Sequence, residues 1–422
     1  MSRVRGYDLS SLDSYSRKIE KIAASLGLNW YPQEFELIDP RTMMATQTYL
    51  GMPTFYPHWS FGKQYEITST LYRHGLTYLP YELVINSNPC RAYLMKDNDL
   101  AMQILTMAHV YSHNNFFRNN THFRKLTDAD SVLKFFRLSA ERIRSYNADP
   151  SIGSKAVERC INAANGLKEQ TDLLLFLRDN STRTIPEWEK DVITVIAKTF
   201  QYFKPQIMTK IMNEGWASFW HYKIIRALDL SSTLRSAIGN HHAKVVRFPD
   251  DPKDFNPYLV GFTVWEDIAK NHSAKMFRAV SKEEDRSFVE KYLTEELMIR
   301  LRLITSSTAG TDILVTRTAD ESSADAQIIK RILQTKVGLG PIPVIKVHDF
   351  DKENGALYLR HFFEGRNLEP AFTNKTLEYV YYFWSSDIAL ETVTYRRNLP
   401  FVYTFDGTRH TARKKTGNLS FF

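Results

Sequence analysis

The sequence has few cysteines and no long apolar run. Cys90 and Cys160 are its two cysteines, which excludes a disulfide framework or a cysteine-based zinc site built from this chain alone. Scarce cysteine is typical of a reducing compartment. No stretch reaches about eighteen uncharged apolar residues, and the basic N-terminus is not followed by an apolar segment. We therefore predict a cytoplasmic protein without a membrane span.

Several common functional motifs are also missing. The chain contains no P-loop, no Rossmann glycine pattern, no GxSxG elbow and no CxxC. Their absence argues against Walker-type nucleotide hydrolysis, common dinucleotide binding and thioredoxin-like redox chemistry. The net charge of +8, from 55 basic and 47 acidic residues, is too small to indicate a dedicated nucleic-acid binder.

The residues that are present indicate a well-packed α+β protein. Hydrophobic residues make up 43% of the chain and aromatic residues 13%, enough to fill a sizeable core. Hydrophobic periodicity predicts a largely helical body over 1–305, for which the ligand motifs described below make a zincin-like architecture one candidate. A small ferredoxin-like α/β domain of order β-α-β-β-α-β is predicted over 311–408. The basic segment 409–422 is predicted to be a solvated tail.

Local signals place helices around the two most informative stretches. A helix is predicted from 99 to 117, capped by Asp97 or Asn98. A second helix is predicted from 206 to 228, opened by Pro205, because proline in a first helical turn loses no intrahelical bond. The segment 30–62 is predicted to be irregular, and 239–257 to be a loop.

The first of these helices carries two histidines in the stretch "AHVYSHNNFF". His109 and His113 are four residues apart, so both imidazoles lie on one helical face and within reach of a single ion. Zinc or another divalent metal would suit such a pair. Two ligands are too few for a site, so a third must come from elsewhere in the chain.

The second helix carries polar residues on one stripe of an aromatic stretch, "NEGWASFWHY". Glu214, Ser218 and His221 share that stripe, and a carboxylate in apolar surroundings must be paired, protonated or metal-bound. An HxxxH helix docked on a helix that supplies Glu has the ligands of glutamate-type zinc hydrolases. We predict a metal site of His109, His113 and Glu214, with His221 as a fourth ligand or a support.

An alternative without metal fits the same residues. The histidines and the glutamate could instead hydrogen-bond one another inside two packed helices. Val110 stands where an HExxH motif keeps its general base, so a hydrolase would need another base. Glu82 in "YELVINSNP" is the first candidate and Glu66 the second. Three further histidines could join the site or serve elsewhere: His58, His241 and His242.

Five long stretches resemble the SpoVR family, the stage V sporulation protein R-like proteins. They are "GMPTFYPHWSFGKQYE", "YELVINSNPCRAYLM", "AHVYSHNNFFRNN", "IPEWEKDVI" and "QYFKPQIMTKIMNEGWASFWHY", and the resemblance is strongest from Trp30 to Tyr222. It implies a cytoplasmic protein linked to the spore cortex peptidoglycan in spore formers and to stress responses elsewhere. It also implies partners, a PrkA-type serine kinase and a von Willebrand A-like protein.

Two functions remain open at this point. One is a metal-dependent hydrolase of cell-envelope or spore-cortex metabolism, with Glu82 as its base. The other is a non-catalytic regulator or scaffold that works by binding the kinase or the von Willebrand A-like protein. The pair of helical motifs in apolar settings makes the hydrolase our leading hypothesis. The missing HExxH glutamate and the separate ferredoxin-like C-terminal unit, a fold that hosts many unrelated functions, support the second.

Overall fold

A computed structural model describes residues 7–73, 79–251, 254–305, 315–316, 324–394 and 399–414. Over these residues the protein is mostly helical. The helices are α1 Leu9–Ser25, α2 Pro40–Thr48, α3 Trp59–Arg73, α4 Leu100–Asn119, α5 Thr121–Leu126, α6 Val132–Ala148, α7 Ser154–Leu167, α8 Thr171–Asn180, α9 Glu187–Met208, α10 Lys210–Ala227, α11 Ser232–Val245, α12 Pro257–Asn271, α13 Met276–Lys282, α14 Asp285–Tyr292, α15 Glu295–Arg300, α16 Ala324–Gln334 and α17 Pro370–Trp384. The strands are β1 Gln33–Ile38, β2 Glu82–Ile85, β3 Cys90–Met95, β4 Ile304–Thr305, β5 Val315–Thr316, β6 Val344–Phe350, β7 Leu357–Phe362, β8 Ile388–Thr394, β9 Leu399–Phe405 and β10 His410–Lys414.

The chain divides into two compact units that differ from the predicted domains. The first unit contains 1–55, 59–138 and 205–338, and the second contains 56–58, 139–204 and 339–422. The predicted boundary at 306–310 lies outside the described residues. Long-range packing decides the division: α16 packs on α14, and β5 pairs with β4, so both belong to the first unit.

The core of the first unit forms where α4, α10 and α12 pack together. The predicted helix from 99 to 117 corresponds to α4, whose cap is Asp99 rather than Asp97 or Asn98, with its carboxylate accepting from Met102 N. Nearly the whole of α4 is buried, from Ala101 to Phe117. A helix buried on every side needs contacts all around it, and the neighbouring helices supply them.

The start of α10 differs from the prediction. Pro205 lies inside α9, which continues to Met208, and α10 begins only at Lys210. Thr209 makes no side-chain cap. The buried Asp285 of α14 accepts from the backbone N–H groups of Ile211 and Met212, both at 2.9 Å. A carboxylate from a distant segment therefore satisfies the donors that a local cap would normally take.

Two segments predicted to be irregular or looped are largely regular. The stretch 30–62 contains β1, α2 and the start of α3, because β1 pairs in parallel with β3 and is thereby held as a strand. The stretch 239–257 contains the end of α11 and the start of α12. Asn256 caps α12 and also donates to the carbonyls of Val245 and Arg247, which ties the two helices together.

The second unit contains a five-stranded sheet of order β10-β9-β8-β7-β6, with α17 as the crossover between the parallel strands β7 and β8. The predicted ferredoxin-like order is not confirmed, because the first β-α pair assigned to it belongs to the first unit. A zincin-like architecture is not confirmed either. Part of the predicted basic tail, His410–Lys414, is strand β10. None of the helices in the described part of the chain combines the length and the apolar character that a membrane crossing needs.

Candidate metal centre

Hydrogen bonds from two buried indole groups hold α10 against α4 and against α12. Trp216 Nε1 of α10 donates to Asn115 Oδ1 of α4 at 2.9 Å. Trp265 Nε1 of α12 donates to the Met212 carbonyl of α10 at 3.0 Å. Because indole and amide groups are directional, these bonds set the rotation of α10 about its axis as well as its position.

That rotation brings one carboxylate and two imidazoles together. Glu214 Oε2 lies 3.7 Å from His109 Nε2 and 3.5 Å from His113 Nε2. Both histidines are buried, and the Glu214 side chain is only 20% exposed. Two ligands that each bind a tetrahedral zinc at ~2.1 Å lie roughly 3.4 Å apart, so this spacing suits a small divalent cation.

The hydrogen-bond partners of His113 leave a lone pair facing the carboxylate. His113 Nδ1 lies 2.9 Å from Asn213 Oδ1, and since a carbonyl oxygen only accepts, Nδ1 carries the proton and donates. In a neutral ring Nε2 is then unprotonated and faces Glu214. The carboxylate oxygen Glu214 Oε2 is itself buried and has no hydrogen-bond partner among the described residues. Such an arrangement requires a proton or a cation between the electron pairs.

The pKa values of Glu214, His113 and His109 are shifted by burial and by the contacts between these groups. Burial would raise the pKa of Glu214, but the facing imidazoles of His109 and His113 hold it well below its usual value. Burial would lower the pKa of His113, but Glu214 and Asn213 raise it overall. Burial, together with the neighbouring His113, lowers the pKa of His109 to about 4. A proton shared between Glu214 and His113 is therefore favoured on His113.

His221 is not part of the three-residue cluster. Its Nδ1 lies 2.9 Å from His109 Nδ1, and its Nε2 lies 2.7 Å from His242 Nδ1. Both ring nitrogens are thus engaged with other imidazoles. Burial and the neighbouring histidines hold the pKa of His221 well below its usual value. Of the two roles predicted for His221, the hydrogen bonds favour that of a support behind His109.

A small cavity opens beside the cluster. Its volume is about 180 Å³, and it is lined by Tyr81, Glu82, Met102, Leu105, Thr106, His109, His221, Val245 and Tyr258. Most of this lining is apolar. Glu82 is the candidate base predicted from the sequence, and it lies in the wall that His109 shares. Burial raises the pKa of Glu82 to about 7, with a smaller opposing effect from His113.

Tyr258 is a residue of this cavity that the sequence did not reveal. Its ring lies over the ring of His109, with centroids 6.3 Å apart. The negative charge of Glu214, reinforced by burial, raises the pKa of Tyr258 well above its usual value. The phenol is therefore held protonated, as a donor. Tyr258 follows the Asn256-Pro257 helix start, a local signal for a helix but not for a site.

The other candidate residues lie elsewhere. Glu66 is exposed on α3. His241 Nε2 lies 3.4 Å from Asp99 Oδ2, at the start of α4. His58 belongs to the second unit. Ser218 is fully buried on α10, and Val110 is fully buried in the core.

Comparison with known proteins gives a consistent assignment. Residues 6–172 and 167–340 match the family model described as "SpoVR like protein", and residues 343–395 match the "SpoVR-like C-terminal domain". A relative in Escherichia coli (strain K12), "Uncharacterized protein YcgB", is 27% identical over 467 aligned residues, covering 90% of this chain and 91% of that protein. No solved structure gives a significant match.

Proposed function

This chain belongs to the family of SpoVR-like proteins, and we propose that it is a metal-dependent hydrolase of spore-cortex or cell-envelope peptidoglycan metabolism or of a stress response. The observation that carries the proposal is the buried cluster of His109, His113 and Glu214, whose ligand atoms all lie within 4.8 Å of one another. Two neutral nitrogen ligands and one carboxylate, beside a cavity, are the donor set of catalytic zinc sites.

The residues around the cluster have complementary roles in such a reaction. A divalent cation held there would supply Lewis-acid polarisation of a carbonyl and make water more acidic. Glu82 would accept a proton from the attacking water, because a carboxyl with a pKa of about 7 is well matched to neutral pH. Tyr258, held protonated, would donate its O–H to the oxygen that gains negative charge.

Metal content tests the first part of the proposal. We expect protein purified without a histidine tag to bind about one equivalent of zinc or another divalent metal, and the His109→Ala/His113→Ala variant to bind none. A His122→Ala/His272→Ala variant, which removes two histidines outside the cluster, should bind as the wild type does. Wild-type protein that takes up no metal would overturn the proposal.

Catalysis is tested separately from metal binding. The metal-loaded protein should release soluble fragments from purified peptidoglycan, and Glu82→Gln should keep the metal while losing roughly 100-fold or more in rate. Glu82→Gln with unchanged activity would remove Glu82 from the mechanism. If no peptidoglycan is cleaved while metal is bound, the regulatory or scaffold alternative gains support. The kinase and von Willebrand A-like partners stay predictions.

A further inference from the structure

Behind the metal cluster, three imidazoles form a continuous hydrogen-bonded chain. The chain passes from His109 of α4 through His221 of α10 to His242 of α11, over contacts of 2.9 Å and 2.7 Å. His109 and His221 are buried, whereas His242 is partly exposed. The chain therefore leads from the candidate ligand toward solvent, and the proposed hydrolase chemistry leaves it without a role.

Each neutral imidazole has one N–H and one lone pair, so the chain has two possible directions. In the inward direction His242 Nδ1–H donates to His221 Nε2, and His221 Nδ1–H donates to His109 Nδ1. His109 then carries its proton on Nε2, facing Glu214. In the outward direction every bond is reversed, His109 Nδ1–H donates to His221, and the Nε2 lone pair of His109 faces the cluster.

The occupant of the cluster selects between the two directions. With no cation, the outward direction would point the Nε2 lone pair of His109 at the Glu214 carboxylate, 3.7 Å away. The two would repel each other, so the inward direction is favoured. A cation needs that lone pair as a ligand, so the outward direction is favoured. The choice made at His109 is transmitted to His242, because no ring in the chain can reverse alone.

We propose that His221 and His242 form a relay that presents the Nε2 lone pair of His109 to a bound cation, and that cation loading reverses the hydrogen bonds of this relay. The proposal rests on the metal site proposed above. The proton count balances: one proton leaves His109 Nε2 for solvent, two shift within the chain, and one enters His242 at Nε2 from water. Each ring stays neutral throughout.

His221 and His242 are positioning residues in this scheme, since they act through His109. The packing around His242 permits a clean substitution. Its ring stacks on Tyr222, with centroids 5.1 Å apart, and meets the edge of Phe262 at 5.2 Å. His242→Phe keeps these aromatic contacts and removes the acceptor for His221. His242→Asn keeps an acceptor oxygen near the position of Nδ1.

The direct test is the tautomer of His242, read by nuclear magnetic resonance of protein with ¹⁵N-labelled histidine rings and no histidine tag. The His242 signals are assigned by their loss in His242→Asn. We expect the proton on Nδ1 in chelator-treated protein and on Nε2 after addition of zinc. His241, the preceding residue on α11, is the internal control and should not change. The same His242 tautomer in both states, with zinc bound, overturns the relay alone.

Zinc affinity provides a second measurement, by competition with a chromophoric chelator. His242→Phe should bind zinc roughly 10- to 100-fold more weakly than the wild type, the usual effect of losing a partner of a ligating histidine. His242→Asn should stay within about threefold of the wild type if its acceptor replaces that partner. Equal affinity of His242→Phe and the wild type overturns the relay, as does His242→Asn being as weak as His242→Phe. Failure of the wild type to bind zinc instead overturns the metal site itself.

Discussion

Gly215 of α10 and Gly261 of α12 face each other where these two helices cross. A Cβ atom added to Gly261 would lie 2.7 Å from Gly215 Cα, and one added to Gly215 would lie 2.7 Å from the Phe262 nitrogen. Neither position can therefore hold a side chain without separating the helices. Since Glu214 is next to one glycine and Tyr258 is one turn before the other, this close crossing sets the distance between the carboxylate and the phenol.

Substitution of Gly261 by alanine is expected to destabilise the protein. The added methyl group would press on backbone atoms of α10, which cannot move aside as a flexible side chain would. Such overpacking typically lowers the free energy of unfolding by about 2–3 kcal/mol. Chemical denaturation measures the change. Gly239→Ala is the matched control, because Gly239 lies in α11 and no atom of the described residues is within 4 Å of its added Cβ. Alanine there should stabilise by up to about 1 kcal/mol. Equal stability of Gly261→Ala and the wild type would refute the close crossing.

Removal of the Asp285 carboxylate should weaken the start of α10. Asp285→Ala leaves the buried N–H groups of Ile211 and Met212 without their acceptor, for an expected loss of about 2–3 kcal/mol in unfolding free energy. Asp13→Ala removes an exposed carboxylate paired with Arg17 and should have no measurable effect. If both variants unfold at the same denaturant concentration, Asp285 is not needed to hold α10.

Glu82 should make the stability of the metal-free protein depend on pH. Its folded pKa of about 7 lies above the ordinary value of 4.5, so the folded state favours the protonated acid. The contribution of Glu82 to the free energy of unfolding is fully present below about pH 4.5 and is lost as the pH rises through about 7. Glu82→Gln stays neutral and should gain stability relative to the wild type between pH 5 and pH 8.

The size of that gain should be about 1–3 kcal/mol, given the 1.36 kcal/mol that corresponds to each pKa unit and the partial exposure of the side chain. Denaturant unfolding of both proteins at pH 5 and pH 8, in the presence of a chelator, measures it. A difference between wild type and Glu82→Gln that is the same at both pH values would show that the pKa of Glu82 is not raised.

The hydrogen bond between Asn115 and Trp216 should couple α4 to α10. Trp216→Phe removes the donor and Asn115→Ala the acceptor, and a double-mutant cycle should give an interaction energy of about 1 kcal/mol in unfolding free energy. A cycle between Trp216→Phe and Asp13→Ala should be additive, because these side chains do not share a partner. Additivity in both cycles would mean that the indole bond contributes nothing to the docking of the helices.

Local patterns in the sequence predicted the elements that depend on local physics. The helix that carries His109 and His113 follows from apolar periodicity, and the strand before Asn86 follows from a β-rich run ended by a turn. The sequence also assigned His109, His113 and Glu214 to one cluster, because an apolar stretch cannot hold a lone carboxylate. The structure brings these three together. Binding of an ion there stays a prediction.

By itself the sequence determined which chemistry is available: two histidines and a carboxylate on two helices, no cysteine ligands and no HExxH base. Only the tertiary structure decided which other residues surround these groups. His242 and Tyr258 reach the site because α11 and α12 pack on α4 and α10, and that packing depends on facing glycines and on indole bonds between distant segments. Sequence periodicity indicates which face of a helix is apolar, whereas the element that packs on that face depends on contacts between residues far apart in the chain.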